Sequence, residues 1–226
     1  MFEAVLGHSE EVDTLSFPGT PINFDPPKKE NRHVRRDELD QRNYDLLSEK
    51  TILCLCTGNA ARSPMAQVMI KAALPFANVT SAGTHVVDGQ PISWRTRLGL
   101  EVIRPDLSTR LNSHRSHQIS QLDVDNADLI LCMAGEHVGY VRRQFPGASD
   151  KTGTLIRLAR SLPAGTLGSL GQRLAELSLE SVALEPWEDV EDPGGGDVEI
   201  MAKCAQELDE LVGKLVPRLA LSPRLH

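Results

Sequence analysis

Thr51-Ile52-Leu53-Cys54-Leu55 is a short apolar, β-prone run of the kind a buried strand needs, and Ser63 to Ala73 follows it with the spacing of a helix. Ser63 suits the cap of that helix and Pro64 its first turn. Cys56-Thr57-Gly58-Asn59-Ala60-Ala61-Arg62 therefore forms a strand-to-helix loop. A loop in that place aims successive backbone N–H groups and the positive end of the helix dipole at one point, which suits a phosphoryl group. The same field favours a thiolate over a thiol, and the thiolate is the nucleophilic form of cysteine.

From Thr51 onward the strand-like and helix-like segments alternate. Val79-Thr80-Ser81, Asp128 to Met133 and Thr152 to Ile156 read as further strands. Ser93 to Val102, Glu136 to Phe145, Leu170 to Glu180 and Val198 to Leu219 read as helices. The last carries Ile200, Cys204, Leu208, Leu211 and Leu215 at amphipathic spacing. This alternation predicts an α/β fold of three layers, a four-stranded parallel sheet with helices on both faces. In such a sheet the ligand site lies beyond the carboxyl ends of the strands, where Cys56, Ser81 and the segment after Met133 fall. The catalytic domain is expected over residues 49–219, with an insertion at 161–187 that has a glycine turn at Thr166-Leu167-Gly168. Residues 1–48 are rich in proline and charge and read as a loosely ordered arm, with a short helix from Arg36 to Leu47; residues 220–226 form a tail.

A net charge of -7 argues against nucleic-acid binding, which relies on clustered Lys and Arg. His33-Val34-Arg35-Arg36 and Arg142-Arg143 read as solvated faces. No apolar run approaches the ~20 residues of a membrane span. Met1-Phe2-Glu3-Ala4-Val5 lacks a basic region ahead of an apolar stretch, so a cytoplasmic location is expected. The four cysteines read as reduced thiols, with Cys132 and Cys204 on apolar faces.

A thiolate within a ring of amides, beside a guanidinium that can bind two phosphate oxygens, is equipped to attack a phosphate ester and form a cysteinyl-phosphate. Departure of the alcohol or phenol needs a proton, and hydrolysis of the intermediate needs a base; one carboxyl group can serve both steps. Trp187-Glu188-Asp189-Val190-Glu191-Asp192-Pro193-Gly194-Gly195-Gly196 is the source of such a group, and spacing alone leaves Asp189, Glu191, Asp192 and Asp197 as candidates.

The motifs resemble those of the low-molecular-weight protein tyrosine phosphatases. They are Cys56 through Arg62-Ser63-Pro64, then Ser81-Ala82-Gly83-Thr84, Gly89-Gln90-Pro91, His114-Arg115-Ser116, the strand Asp128 to Met133, and Asp192-Pro193. The resemblance spans residues 51–217 and implies a flavodoxin-like or Rossmann-like phosphatase fold. It implies Cys56 as nucleophile, Arg62 as phosphate clamp and Asp192 as general acid and base. Thr57, Gly58, Asn59, Ala60, Ala61 and Ser63 would form the substrate-binding loop, with Ser63 bonded to the thiolate. Asn59 would be held through Ser81 and His114. No metal or cofactor is implied. The implied partners are a phosphotyrosine protein or small aryl phosphate, and the tyrosine kinase that makes the substrate. Two departures bear on substrate and redox behaviour. Ala61 stands where the family commonly has a second cysteine, and Gly194-Gly195-Gly196 stand where an aromatic residue lines the cleft. Cys54 lies on the same side of the strand as Cys56, but a disulfide across one residue is strained. Aromatic residues are 4% of the chain; Trp94 and Trp187 are candidates either for the cleft or for packing. Two other functions fit the same loop: thiol-coupled arsenate reduction, with an external thiol in place of further loop cysteines, and phosphate sensing or partner binding with weak turnover.

Overall fold

The computed structural model describes residues 50–163 and 168–219. The expected arm, its helix from Arg36 to Leu47 and the tail lie outside the described residues. Four parallel strands, β1 (Thr51–Cys56), β2 (Asn78–Gly83), β3 (Leu129–Cys132) and β4 (Thr152–Thr154), stand in the order β2-β1-β3-β4. The helices are α1 (Arg62–Ala73), α2 (Trp94–Ile103), α3 (Gln121–Asn126), α4 (Gly135–Gln144), α5 (Leu155–Ser161), α6 (Leu170–Ala175) and α7 (Val198–Leu219).

The period-2 alternation of β1 divides the core. Ile52, Cys54 and Cys56 face a layer built from α1, α5, α6 and α7, whereas Leu53 and Leu55 face α3 and α4. A sheet buried on both faces explains why its central strands read as continuous apolar runs. On α7 the buried residues Met201, Cys204, Ala205, Leu208, Leu211, Val212 and Leu215 make one stripe, close to the expected pattern. Ile200 falls off that stripe and is exposed. α2 packs on α7 through Gly99, where an added Cβ would lie 2.4 Å from Met201 Cβ, so the glycine sets how closely the two helices approach.

Three local expectations need correction. Leu155 and Ile156 belong to α5 and not to β4, because Thr154 accepts a hydrogen bond from the Arg157 N–H at 3.2 Å and caps a helix there. A short apolar run suits a buried strand or a buried helix equally, and the cap decides. α1 begins one residue early at Arg62 with Ala61 at its cap position, so the Ser63 hydroxyl is not a cap and is free for other work. α6 ends at Ala175, not Glu180; beyond it Ser178 turns into the left-handed region at φ 48°. Within the expected insertion, Leu170, Leu174 and Leu179 are buried in the same core as α7. Arg173 is 2% exposed and donates to the carbonyls of Pro163, Arg218 and Leu219, which ties α6 to the carboxyl end of α7.

Candidate active site

The loop after β1 rests on the end of β2. Gly83 pairs with Cys56, the Thr84 N–H donates to the Cys56 carbonyl at 3.0 Å, and the His85 N–H donates to the Thr57 carbonyl at 2.9 Å. A Cβ on Gly83 would stand 2.5 Å from the Thr57 carbonyl oxygen and 2.9 Å from the Asn59 nitrogen, so only glycine permits this approach. Asn59 sits at φ 49° with its side chain fully buried. Its Nδ2 donates to Ser63 Oγ and Ser81 Oγ, both at 3.0 Å, and its Oδ1 accepts from the His117 N–H at 2.9 Å. His114 Nε2 donates to the Asn59 carbonyl at 2.8 Å. Both expected scaffold residues thus reach Asn59, Ser81 through the side chain and His114 through the main chain, while His117 supplies an unforeseen main-chain donor. Burial lowers the His114 pKa against the opposing effect of the Asn59 bond, which suits a neutral ring donating from Nε2.

Beneath the loop, Cys56 Sγ lies 3.0 Å from Ser63 Oγ, and both residues are buried. Asn59 donates to the Ser63 oxygen, so the single serine proton is shared between the Ala82 carbonyl at 3.3 Å and the sulfur, and a sulfur anion would be the stronger acceptor. The side chains of Asn59 and Ser63 support the loop from below; Gly58 and Ala60 are exposed at its surface and Thr57 and Ala61 are half-buried. Thr96 Oγ1 of α2 donates to the Ala60 carbonyl at 3.2 Å.

Arg62 is 4% exposed, and its Nη2 reaches Asp192 Oδ2 at 2.7 Å. Its Nη1 donates to the Val190 carbonyl at 3.3 Å. Two of the other candidate acids are placed differently. Asp189 Oδ1 accepts from the Gly135 N–H at 2.7 Å at the start of α4, and Asp197 Oδ1 accepts from the Ile200 N–H at 3.0 Å in the first turn of α7. The acid segment is pinned at Val190, whose N–H donates to the Met133 carbonyl at 2.8 Å. It is pinned again at Glu188, fully buried, which takes two bonds from Arg157, one from the Glu185 N–H at 2.9 Å and one from Thr154 Oγ1 at 2.8 Å. Those bonds hold the Glu188 carboxyl below its ordinary pKa although burial pushes it the other way.

Two residues at the loop were not foreseen. His137 Nε2 lies 2.9 Å and Glu136 Oε1 3.2 Å from Thr57 Oγ1, to which Arg62 Nη2 also points at 3.4 Å. His137 is 1% exposed; burial, and then the Arg62 charge, push its pKa down to about 4, so it is a neutral ring. The only sequence signal for either residue is its position just past the carboxyl end of β3. Trp94 is exposed at the start of α2, and Trp187 stacks on the guanidinium groups of Arg160 at 4.5 Å and Arg157 at 5.5 Å. All four cysteines are buried and unbridged; burial pushes the Cys54 and Cys132 thiols up, and Cys204 to about 12. Among the described residues, no cluster of His, Cys, Asp and Glu could hold a metal ion, and no helix is long and apolar enough to cross a membrane.

Residues 51–162 match the family described as low molecular weight phosphotyrosine protein phosphatase. A protein-arginine-phosphatase of Geobacillus stearothermophilus is 30% identical over 169 residues, 74% of this chain and 95% of that protein. A probable low molecular weight protein-tyrosine-phosphatase of Ralstonia solanacearum is 38% identical over 109 residues, 48% of this chain and 70% of that one. The solved low molecular weight protein tyrosine phosphatase of T. tengcongensis superposes with a TM-score of 0.57 at 30% identity, over 74% of this chain and 97% of that one. A parallel four-stranded fold, a cysteine loop at the end of its first strand and these likenesses agree: the chain belongs to the low-molecular-weight phosphotyrosine protein phosphatase family.

Proposed function

We propose that the chain hydrolyses phosphoproteins through a phosphocysteine at Cys56. The observation that carries this reading is the placement of a buried thiol, the Arg62 guanidinium and the Asp192 carboxylate around one strand-to-helix loop. The thiolate of Cys56 attacks phosphorus, the bond from phosphorus to the leaving group breaks, and Asp192 gives that group a proton. Water then attacks phosphorus as Asp192 takes its proton, the S–P bond breaks, and Cys56 leaves as a thiolate. Backbone N–H groups of Thr57, Gly58, Asn59, Ala60 and Ala61, with Arg62, stabilise the equatorial oxygens. Ser63 hydrogen-bonds the sulfur, while Asn59, Ser81 and His114 hold the loop. Cys56→Ser should abolish hydrolysis of p-nitrophenyl phosphate, and retained turnover would sink the mechanism. Asp192→Asn should cost about 10²–10⁴ in kcat on a phosphotyrosine peptide and remove one limb of its pH-rate profile.

Phosphotyrosine proteins and aryl phosphates are one substrate class this site suits, with a tyrosine kinase as their source. Phosphoarginine proteins are a second reading. It is favoured by Gly194-Gly195-Gly196, which put no side chain over a substrate ring, and by the arginine phosphatase that matches over nearly its whole length. Arsenate reduction would depend on an external thiol, since Cys54, Cys132 and Cys204 are all buried in strand or helix.

A further inference from the structure

Three groups converge on the hydroxyl of Thr57, and counting protons fixes how they are arranged. Arg62 Nη2, at 3.4 Å, can only donate. His137 Nδ1 is buried with no partner, and a buried unpaired lone pair is better tolerated than a buried unpaired N–H. The ring proton therefore sits on Nε2, which lies 2.9 Å from Thr57 Oγ1 and 3.3 Å from Glu136 Oε1, and goes to the nearer hydroxyl. With both lone pairs of the hydroxyl engaged, its single proton goes to Glu136 Oε1 at 3.2 Å. Glu136 is thus held at the loop by one oxygen, while its side chain stays 68% exposed. The same Arg62 Nη2 pairs with Asp192, whose side chain is 58% exposed.

Two carboxylates therefore stand at this end of the loop, Asp192 paired directly with Arg62 and Glu136 one hydroxyl away through Thr57. Asp192 has a task in proton transfer, but Glu136 has none, and a fixed negative charge beside a phosphate dianion weakens its binding. The cost becomes a gain when the substrate carries a positive group next to its phosphate, because the same charge then attracts it and rejects neutral competitors. We propose that Glu136 is a specificity-determining residue that receives a cationic group adjoining the substrate phosphate. That cation is either the guanidinium of a phosphoarginine or a basic side chain next to the phosphorylated residue. The inference rests on the phosphatase reading above.

The test compares kcat/KM of the full chain and of Glu136→Gln on three peptides: phosphoarginine, phosphotyrosine with neutral neighbours, and phosphotyrosine with flanking arginines. Glutamine keeps an acceptor for Thr57 and removes only the charge. The expected result is a fall of roughly tenfold in preference for a cationic peptide over the neutral one, which shrinks at high salt. A fall confined to phosphoarginine assigns the cation to the phosphorylated residue itself; a fall confined to the flanked peptide assigns it to the neighbour. An equal change on all three peptides, or none, overturns the proposal. Wild-type chain that hydrolyses none of them overturns the phosphatase reading, and the proposal with it.

Discussion

Asn59 shows how much one side chain carries. It occupies a left-handed conformation, and its amide joins α1 through Ser63, β2 through Ser81 and the main chain at His117. Replacing it with alanine strands buried partners and removes the residue type that tolerates φ 49°. Asn59→Ala should cost about 1–3 kcal/mol in urea unfolding. It should also lower kcat about 10²-fold on an aryl phosphate, since small displacements of a positioned loop have that effect. At this scale the sequence was most informative where chemistry and chain position coincide. Cys56 and Arg62 follow from the loop pattern, whereas that pattern made Ser63 a helix cap and only the family resemblance implied its contact with the sulfur. Glu136 and His137 follow from neither, because their contact with Thr57 joins residues 79 and 80 positions apart that no local pattern links.

Among the elements, α7 was legible from its period, because one face of a long helix is buried and nothing else competes for it. The end of β4 was not, since Leu155 and Ile156 suit either element and only the Thr154 cap separates them. The acid segment was legible as a cluster of carboxylates, but the choice among them depends on main-chain partners far along the chain. Asp189 accepts from Gly135 and Asp197 from the first turn of α7, whereas Asp192 pairs with Arg62. The contact of α2 with α7 is equally hidden, because it depends on the missing side chain of Gly99. Gly99→Ala forces a Cβ against Met201, so the helices must part despite alanine's better helix propensity. The expected outcome is a loss of about 1–3 kcal/mol, seen as a Tm several degrees lower.

For the whole molecule, His137 gives stability a pH dependence. Its folded pKa is about 4 against an ordinary value of 6.5, so below pH 6.5 the unfolded chain takes up a proton that the folded chain refuses. Stability should therefore fall as the pH drops from 6.5 towards 4, by up to about 3 kcal/mol. Glu188 acts lower down: its depressed pKa contributes stability above the ordinary carboxyl range, which is lost as the pH falls through the folded value. The two windows separate, so urea unfolding of wild type and His137→Gln at pH 7 and pH 5 isolates the histidine. The wild type should lose about 2 kcal/mol more than the variant over that interval, and parallel losses would rule the assignment out.

On the proposed mechanism, Asp192 and an incoming phosphate need the same guanidinium of Arg62. The aspartate is then an internal rival to the substrate, and seating the phosphate frees the proposed acid to meet the leaving group. When phosphate departs, the carboxylate would return to Arg62 and help to dislodge the product. One ion pair would thereby couple arrival, proton transfer and clearance of the site.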